Sequence, residues 1–239
     1  MLGPAPANNP LPWSALRLLA FDLDGTLVDS RHDLAASLNA TLQHLGRPTL
    51  PLEQVVLHVG HGAPALIAGA LQASGARPDP QLHAAALGWF LEHYAAHQLD
   101  RTVPYPGVAD ALEHLAGRCR LVVLTNKPVA ASRAILAGLG LADRFAAVYG
   151  GDSFPTRKPD PEGLLHALAP AQIPPRQALM VGDTWVDVAT GKAAGTWTCG
   201  VSYGFGAERL NAAEVERRPP ADRPDLLLDD LRQLVTDWK

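Results

Sequence analysis

Five short apolar runs, "LRLLAFDLDG", "CRLVVLTN", "FAAVYGG", "ALMVGD" and "WTCGVSYG", each ending in a polar or glycine turn, constrain the fold of this 239-residue chain most. Stretches of helical length separate them. Strands alternating with helices predict an α/β fold with a doubly wound, Rossmann-like parallel sheet and helices on both faces. One gap breaks the rhythm: residues 30–100 hold no convincing strand, are rich in Ala, Leu and His at helical spacing, and are punctuated by Pro48, Pro51, Pro78 and Pro80. The expected organisation is a core of residues 16–29 and 101–239, with an α-helical cap at 30–100 inserted after the first strand. Hinges are expected near 27–33 and 100–107, a short edge strand at 225–228 and a closing helix after it.

Composition narrows the function classes. The net charge of -4 comes without a run of Lys or Arg, which argues against a nucleic-acid or anionic-lipid surface and for a small-molecule partner. Cys119 and Cys199 stand far apart and outside any CxxC pair, so they read as thiols of a reducing cytoplasm rather than a disulfide or zinc framework. Residues 1–15, "MLGPAPANNPLPWSA", lack a basic segment followed by an apolar one and are expected to be a disordered tail. No apolar run approaches the ~20 residues of a membrane helix. The expected state is a soluble monomer or homodimer.

Ligands of open parallel sheets bind beyond the carboxyl ends of the strands, so the residues where the apolar runs stop carry the chemistry. The first run stops at Asp22 and Asp24, the second at Thr125 and Asn126, the fourth at Gly182 and Asp183, and Lys158 arrives in "SFPTRKPDP" before a helix expected from Pro159. In an extended segment Asp22 and Asp24 project to one side. With Asp183 they would repel by several kcal/mol at ~4 Å unless a cation sat among them. The absence of Cys or His at ligand spacing favours Mg²⁺ over zinc. An ionised Asp22 can attack phosphorus while a protonated Asp24 gives its proton to the leaving oxygen and later takes one from water. Gly25 permits a tight turn that presents backbone N–H groups to phosphoryl oxygens; Thr125 and Asn126 add neutral donors, and Lys158 a compact positive charge.

Taken in order, "DLDGTLVDS", "LTN", "KPDP" and "VGDTWVDV" resemble the four motifs of the haloacid dehalogenase-like phosphohydrolases, and the resemblance runs from about residue 17 to 205. The long insertion resembles the helical cap of that superfamily's first subclass. "DLDGTLVDSRHDLAASLN", "GHGAPALI" and "GGDSFPTRKPDPEGLL" look most like phosphoglycolate phosphatases. The resemblance implies that Asp22 is the nucleophile, Asp24 the acid/base and a metal ligand through its carbonyl, Thr125 and Lys158 phosphate partners, Asp183 a ligand and Asp187 a support for the metal's waters. Asp187 reads equally well as a helix first-turn carboxylate. One departure concerns substrate: a histidine often found between the two prolines of the third motif is here Asp160.

Other readings carry less. An EF-hand fails because Leu27 stands where its glycine belongs and Asp33 where its bidentate Glu belongs. Dehalogenation in the superfamily does without the second aspartate. A phosphatase or phosphomutase for a sugar phosphate, or a non-catalytic phosphometabolite sensor, are the alternatives to a 2-phosphoglycolate phosphatase; retention of Asp24 argues against the sensor. In the cap, the turn Gly60-His61-Gly62 is expected to offer backbone N–H groups and an imidazole to the substrate's carboxylate.

Overall fold

The computed structural model describes residues 11–77, 79–206 and 208–236. Six parallel strands form one sheet: β1 (Leu18–Phe21), β4 (Arg120–Leu124), β5 (Ala147–Tyr149), β6 (Ala178–Gly182), β7 (Trp197–Val201) and β8 (Leu226–Leu228), in the order β5-β4-β1-β6-β7-β8. Two short strands, β2 (Val28–Asp29) and β3 (Val103–Pro104), pair antiparallel beside it.

All four side chains of β1 are buried, because both sheet faces are covered. Alternation along the strand sends Leu19 and Phe21 into one apolar cluster and Leu18 and Ala20 into the other. On the first face lie α5 (Val108–Ala116), α6 (Val129–Gly138) and α10 (Gln233–Thr236), through Leu112, Ile135 and Leu234 among others. On the second lie α7 (Glu162–Leu168) and α8 (Trp185–Ala194), through Leu164, Leu168 and Ala194. A further short helix, α9 (Ala212–Arg217), follows β7. Phe21 is fully buried and meets Phe145 edge-on, with ring centroids 6.3 Å apart. Burying a side chain of that size contributes about 2 to 3 kcal/mol.

Between β2 and β3 the chain forms four helices, α1 (Arg31–His44), α2 (Leu52–Val56), α3 (Ala63–Ala73) and α4 (Pro80–His97). The segment "PLEQVVLHVGHGAPALIAGALQASG" contains two of them. It is broken where Gly60 and Gly62 take φ values of +121° and +87°, a region that L side chains seldom enter. The edge strand sits at Leu226–Leu228 as expected, while the closing helix is short, Gln233–Thr236. The expected tail is corrected in part: Leu11 is buried and Trp13–Ala15 form a 3₁₀ turn, so the chain is packed from residue 11; residues 1–10 lie outside the described residues.

The two linkers between sheet and cap are tied together by one carboxylate. Asp33 Oδ2 accepts from Arg101 N at 3.0 Å, Thr102 N at 2.8 Å and Thr102 Oγ1 at 2.7 Å. Asp33→Ala is expected to strand these donors in a buried place and to lower stability by about 2 to 4 kcal/mol. Urea denaturation checks it; a loss under about 0.5 kcal/mol would mean the linkers are held by other contacts.

Candidate active site

Three neighbouring strands deliver the site. Phe21 of β1 is in register with Val123 of β4 and Val181 of β6, so Asp22, Thr125 and Asp183 emerge side by side just past the strand ends. Asp22 N still donates to Val181 O at 2.9 Å, which fixes its backbone to the sheet. Beyond it the chain turns. Gly25 has φ +87°, and a Cβ there would lie 2.2 Å from Asp183 Oδ2. The turn therefore requires glycine twice over, for its backbone angle and for the close approach of a carboxylate. Gly182 is constrained in the same way, since its Cβ would meet Asp187 Cγ at 2.1 Å.

Asp22, Asp183 and Asp187 are all buried, and each offers an oxygen within 4.8 Å of the others'. One cation faces them. Lys158 Nζ donates to Asp187 Oδ1 at 2.6 Å and forms an ion pair with Asp22 Oδ1 at 2.9 Å. Asp183 is steadied by Thr26 Oγ1 at 3.0 Å and Phe205 N at 3.1 Å. Burial pushes the Asp22 carboxyl up to about 6 against the pull of Lys158, and pushes Asp183 well above the usual carboxylate range, with Asp22 and Asp187 adding to the rise. Burial by itself would lower the pKa of Lys158, but Asp187 and Asp22 more than offset it and the ammonium stays charged. Three buried carboxylates against one ammonium leave negative charge uncompensated. Three buried carboxylates within 4.8 Å of one another form an all-oxygen donor set that fits a hard divalent cation.

The third carboxylate of this cluster differs from the sequence expectation. Asp24 does not converge on Asp22 and Asp183, because β1 ends at Phe21 and strand alternation stops with it. Its carboxylate is held instead by Lys127 Nζ, 3.1 Å from Oδ1 and 3.0 Å from Oδ2, and by Ser30 Oγ. Asp187 takes the place. The first-turn reading of Asp187 holds, since it is the N3 carboxylate of a capping box on α8: Oδ2 accepts from Thr184 N at 3.1 Å and Thr184 Oγ1 at 2.7 Å while Oδ1 holds Lys158. Pro159 does not open a helix; α7 begins at Glu162, and Lys158 sits in the loop before it.

A cavity of about 440 Å³ opens between the strand ends and the cap helices. Asp22, Asp24, Thr125, Asn126 and Lys127 line its polar end, and Leu34, Leu66 and Phe90 are among the apolar residues facing them. Gly60 and Gly62 also line it. His61 is placed otherwise: half exposed, it is not among the lining residues, and its Nε2 stands 3.4 Å from Glu208 Oε1. Asn126 links three segments, its Nδ2 donating to Gly60 O and to Lys158 O at 3.0 Å each. Lys127 went unmarked in the sequence. It is buried, touches Asp24, donates to Tyr94 Oη at 2.8 Å and stands 4.4 Å from the centroid of the Tyr94 ring.

Among the described residues no helix is long and apolar enough to cross a membrane. Residues 16–195 match the family model of the haloacid dehalogenase-like hydrolases. The chain is similar to a protein named phosphoglycolate phosphatase from Pseudomonas putida, 41% identical over 229 residues covering 94% of this chain and 80% of that protein. A protein of the same name from Chromobacterium violaceum is 38% identical over 214 residues, covering 89% of this chain and 96% of its own length. Among solved structures, that of a predicted phosphoglycolate phosphatase from Haemophilus somnus superimposes with a TM-score of 0.86 at 29% identity, over 94% of this chain and 99% of that one.

Proposed function

The chain belongs to the haloacid dehalogenase-like hydrolases and is a phosphoric monoester hydrolase, and we propose that it hydrolyses 2-phosphoglycolate with Mg²⁺ through an aspartyl-phosphate on Asp22. The observation that carries this reading is the environment of Asp22. A buried carboxylate, ion-paired with Lys158 at 2.9 Å and within 4.8 Å of two further buried carboxylates, stands at the polar end of a cavity.

In this account Asp22 attacks phosphorus, an Asp22–O–P bond forms, and the ester P–O bond breaks. The departing alkoxide takes its proton from Asp24, across the same cavity. Asp24 then removes a proton from water, the water oxygen attacks phosphorus, and the bond to Asp22 breaks to release phosphate. Lys158 offsets charge on Asp22 and the phosphoryl oxygens throughout, and Thr125 and the Gly25 turn donate to those oxygens. Asp22, Asp183 and Asp24, with Asp187 in support, would hold Mg²⁺, which would supply positive charge at the phosphoryl group. The test is a panel of small phosphomonoesters with and without Mg²⁺, ranked by kcat/KM. 2-Phosphoglycolate should lead it, and chelation should abolish turnover.

A second reading has one observation in its favour. The cavity of about 440 Å³ has room beyond a two-carbon acid, and much of its wall is apolar, which suits a larger phosphorylated metabolite such as a sugar phosphate. The same panel decides between the two.

The buried carboxylates also set a pH dependence. Asp22 has its folded pKa raised from 3.8 to about 6, so its contribution to stability is fully present below the unfolded value and is lost as pH rises through about 6. Mg²⁺ binds the ionised forms. The rise in Tm on adding Mg²⁺ is therefore expected to be small near pH 5 and to grow as pH passes through about 6. A rise independent of pH across that window would place the metal away from Asp22.

A further inference from the structure

We propose that Lys127, held by Tyr94 from the cap, is the residue that binds the carboxylate of the substrate and so sets the preference for phosphoglycolate. The proposal rests on the phosphoglycolate reading and deepens it. Its first support is elimination. A substrate of this class carries a second negative charge besides the phosphate, and a charge taken into a largely apolar cavity needs a charged partner. Among the described residues lining that cavity, Lys127 is the one Lys or Arg. Lys158 is not among them and faces Asp22 and Asp187 instead, at 2.9 and 2.6 Å.

Position is the second support. The leaving oxygen of the ester must come within a hydrogen bond of Asp24 to receive its proton. In O–CH₂–COO⁻ the carboxylate carbon is two bonds from that oxygen. Lys127 Nζ touches both oxygens of Asp24, at 3.1 and 3.0 Å, so the carboxylate of a substrate docked on Asp24 has the ammonium within its reach. Exchanging one Asp24 oxygen for a carboxylate oxygen keeps the three N–H donors of the ammonium in use.

The third support is how Lys127 is held. It follows Asn126 in the loop after β4 and is buried under α4, where the Tyr94 hydroxyl accepts a hydrogen bond from Nζ at 2.8 Å and the ring centroid lies 4.4 Å away. Tyr94 is a positioning residue: it keeps the charge over the cavity from the cap side.

The test measures kcat/KM for 2-phosphoglycolate, ethyl phosphate and phosphoethanolamine on the full-length chain with Mg²⁺. The second compound lacks the charge and the third reverses it. Wild type should rank them in that order. The ratio of phosphoglycolate to ethyl phosphate, taken on one preparation, cancels folded fraction and any effect common to both through Asp24. In Lys127→Met that ratio should fall about 10- to 100-fold, the worth of a hydrogen bond to a charged group, and phosphoethanolamine should gain on the other two. In Tyr94→Phe it should fall about 3- to 10-fold, and this variant decides the matter should Lys127→Met fail to fold. A high wild-type ratio that is unchanged in the variants overturns the role of Lys127 and leaves the phosphoglycolate reading standing. A wild-type ratio near one removes that reading and this proposal with it.

Discussion

Asp22→Asn is expected to lower kcat by about ten-thousand-fold or more while the protein stays folded. An amide cannot attack phosphorus, and it offers a cation a poorer oxygen. The folded state should tolerate the change. Asp22 is buried and its carboxyl is pushed up to about 6, so ionising it at neutral pH costs free energy that a neutral amide does not. Lys158 keeps its bond to Asp187 at 2.6 Å. In the absence of metal the Tm of the variant should be within a few degrees of wild type, and the Tm rise on adding Mg²⁺ should shrink. A variant that keeps even one tenth of the wild-type kcat would falsify covalent catalysis by this residue.

Lys158→Arg should be nearly as damaging although charge is preserved. The Lys158 ammonium fits between Asp22 Oδ1 at 2.9 Å and Asp187 Oδ1 at 2.6 Å, at 5% exposure, with its backbone carbonyl held by Asn126. A planar guanidinium is wider than an ammonium and presents donors in a fixed fork. To fit, it must push one carboxylate aside, and Asp187 cannot yield freely because its other oxygen caps α8 through Thr184. The expected loss is about 100- to 1,000-fold in kcat/KM, the range for removing one aligned group that stabilises transition-state charge. Overpacking adds about 1 to 3 kcal/mol of destabilisation. Kinetics together with thermal melting measure both; kinetics within a factor of three of wild type would mean that Lys158 does not touch the reacting phosphate.

Where the chemistry depends on strand ends it was legible in the sequence. Asp22, Thr125 and Asp183 each follow the last apolar residue of a buried parallel strand, and a parallel sheet puts those positions side by side. Gly25 was legible for a related reason, as the residue at which the first strand must turn. The interruption of the strand pattern over residues 30–100 likewise pointed to the inserted helices.

What failed depended on where an element stops or on which distant segment meets which. Projecting Asp24 beside Asp22 assumed that the strand continued, whereas β1 ends one residue before Asp22. Lys127 carried no local signal: a lysine after a strand and before a proline-led helix reads as a solvated charge, and its partner Tyr94 lies 33 residues upstream. His61 was singled out for its glycine neighbours, but those glycines serve the backbone. Gly62 brings α3 against Asn126, where a Cβ would sit 2.9 Å from the carbonyl oxygen, and Gly60 O accepts from the Asn126 amide. The side chain between them faces Glu208.

The central claim is that phosphate passes through Asp22, and acid quenching during steady turnover with 2-phosphoglycolate tests it most directly. Peptide mapping of the quenched protein should find one phosphoryl group on the peptide containing Asp22, released by hydroxylamine as an acyl phosphate is, and absent from Asp22→Asn. An enzyme that turns over normally yet carries no phosphoryl group on that peptide, or carries it on another residue, would contradict the account.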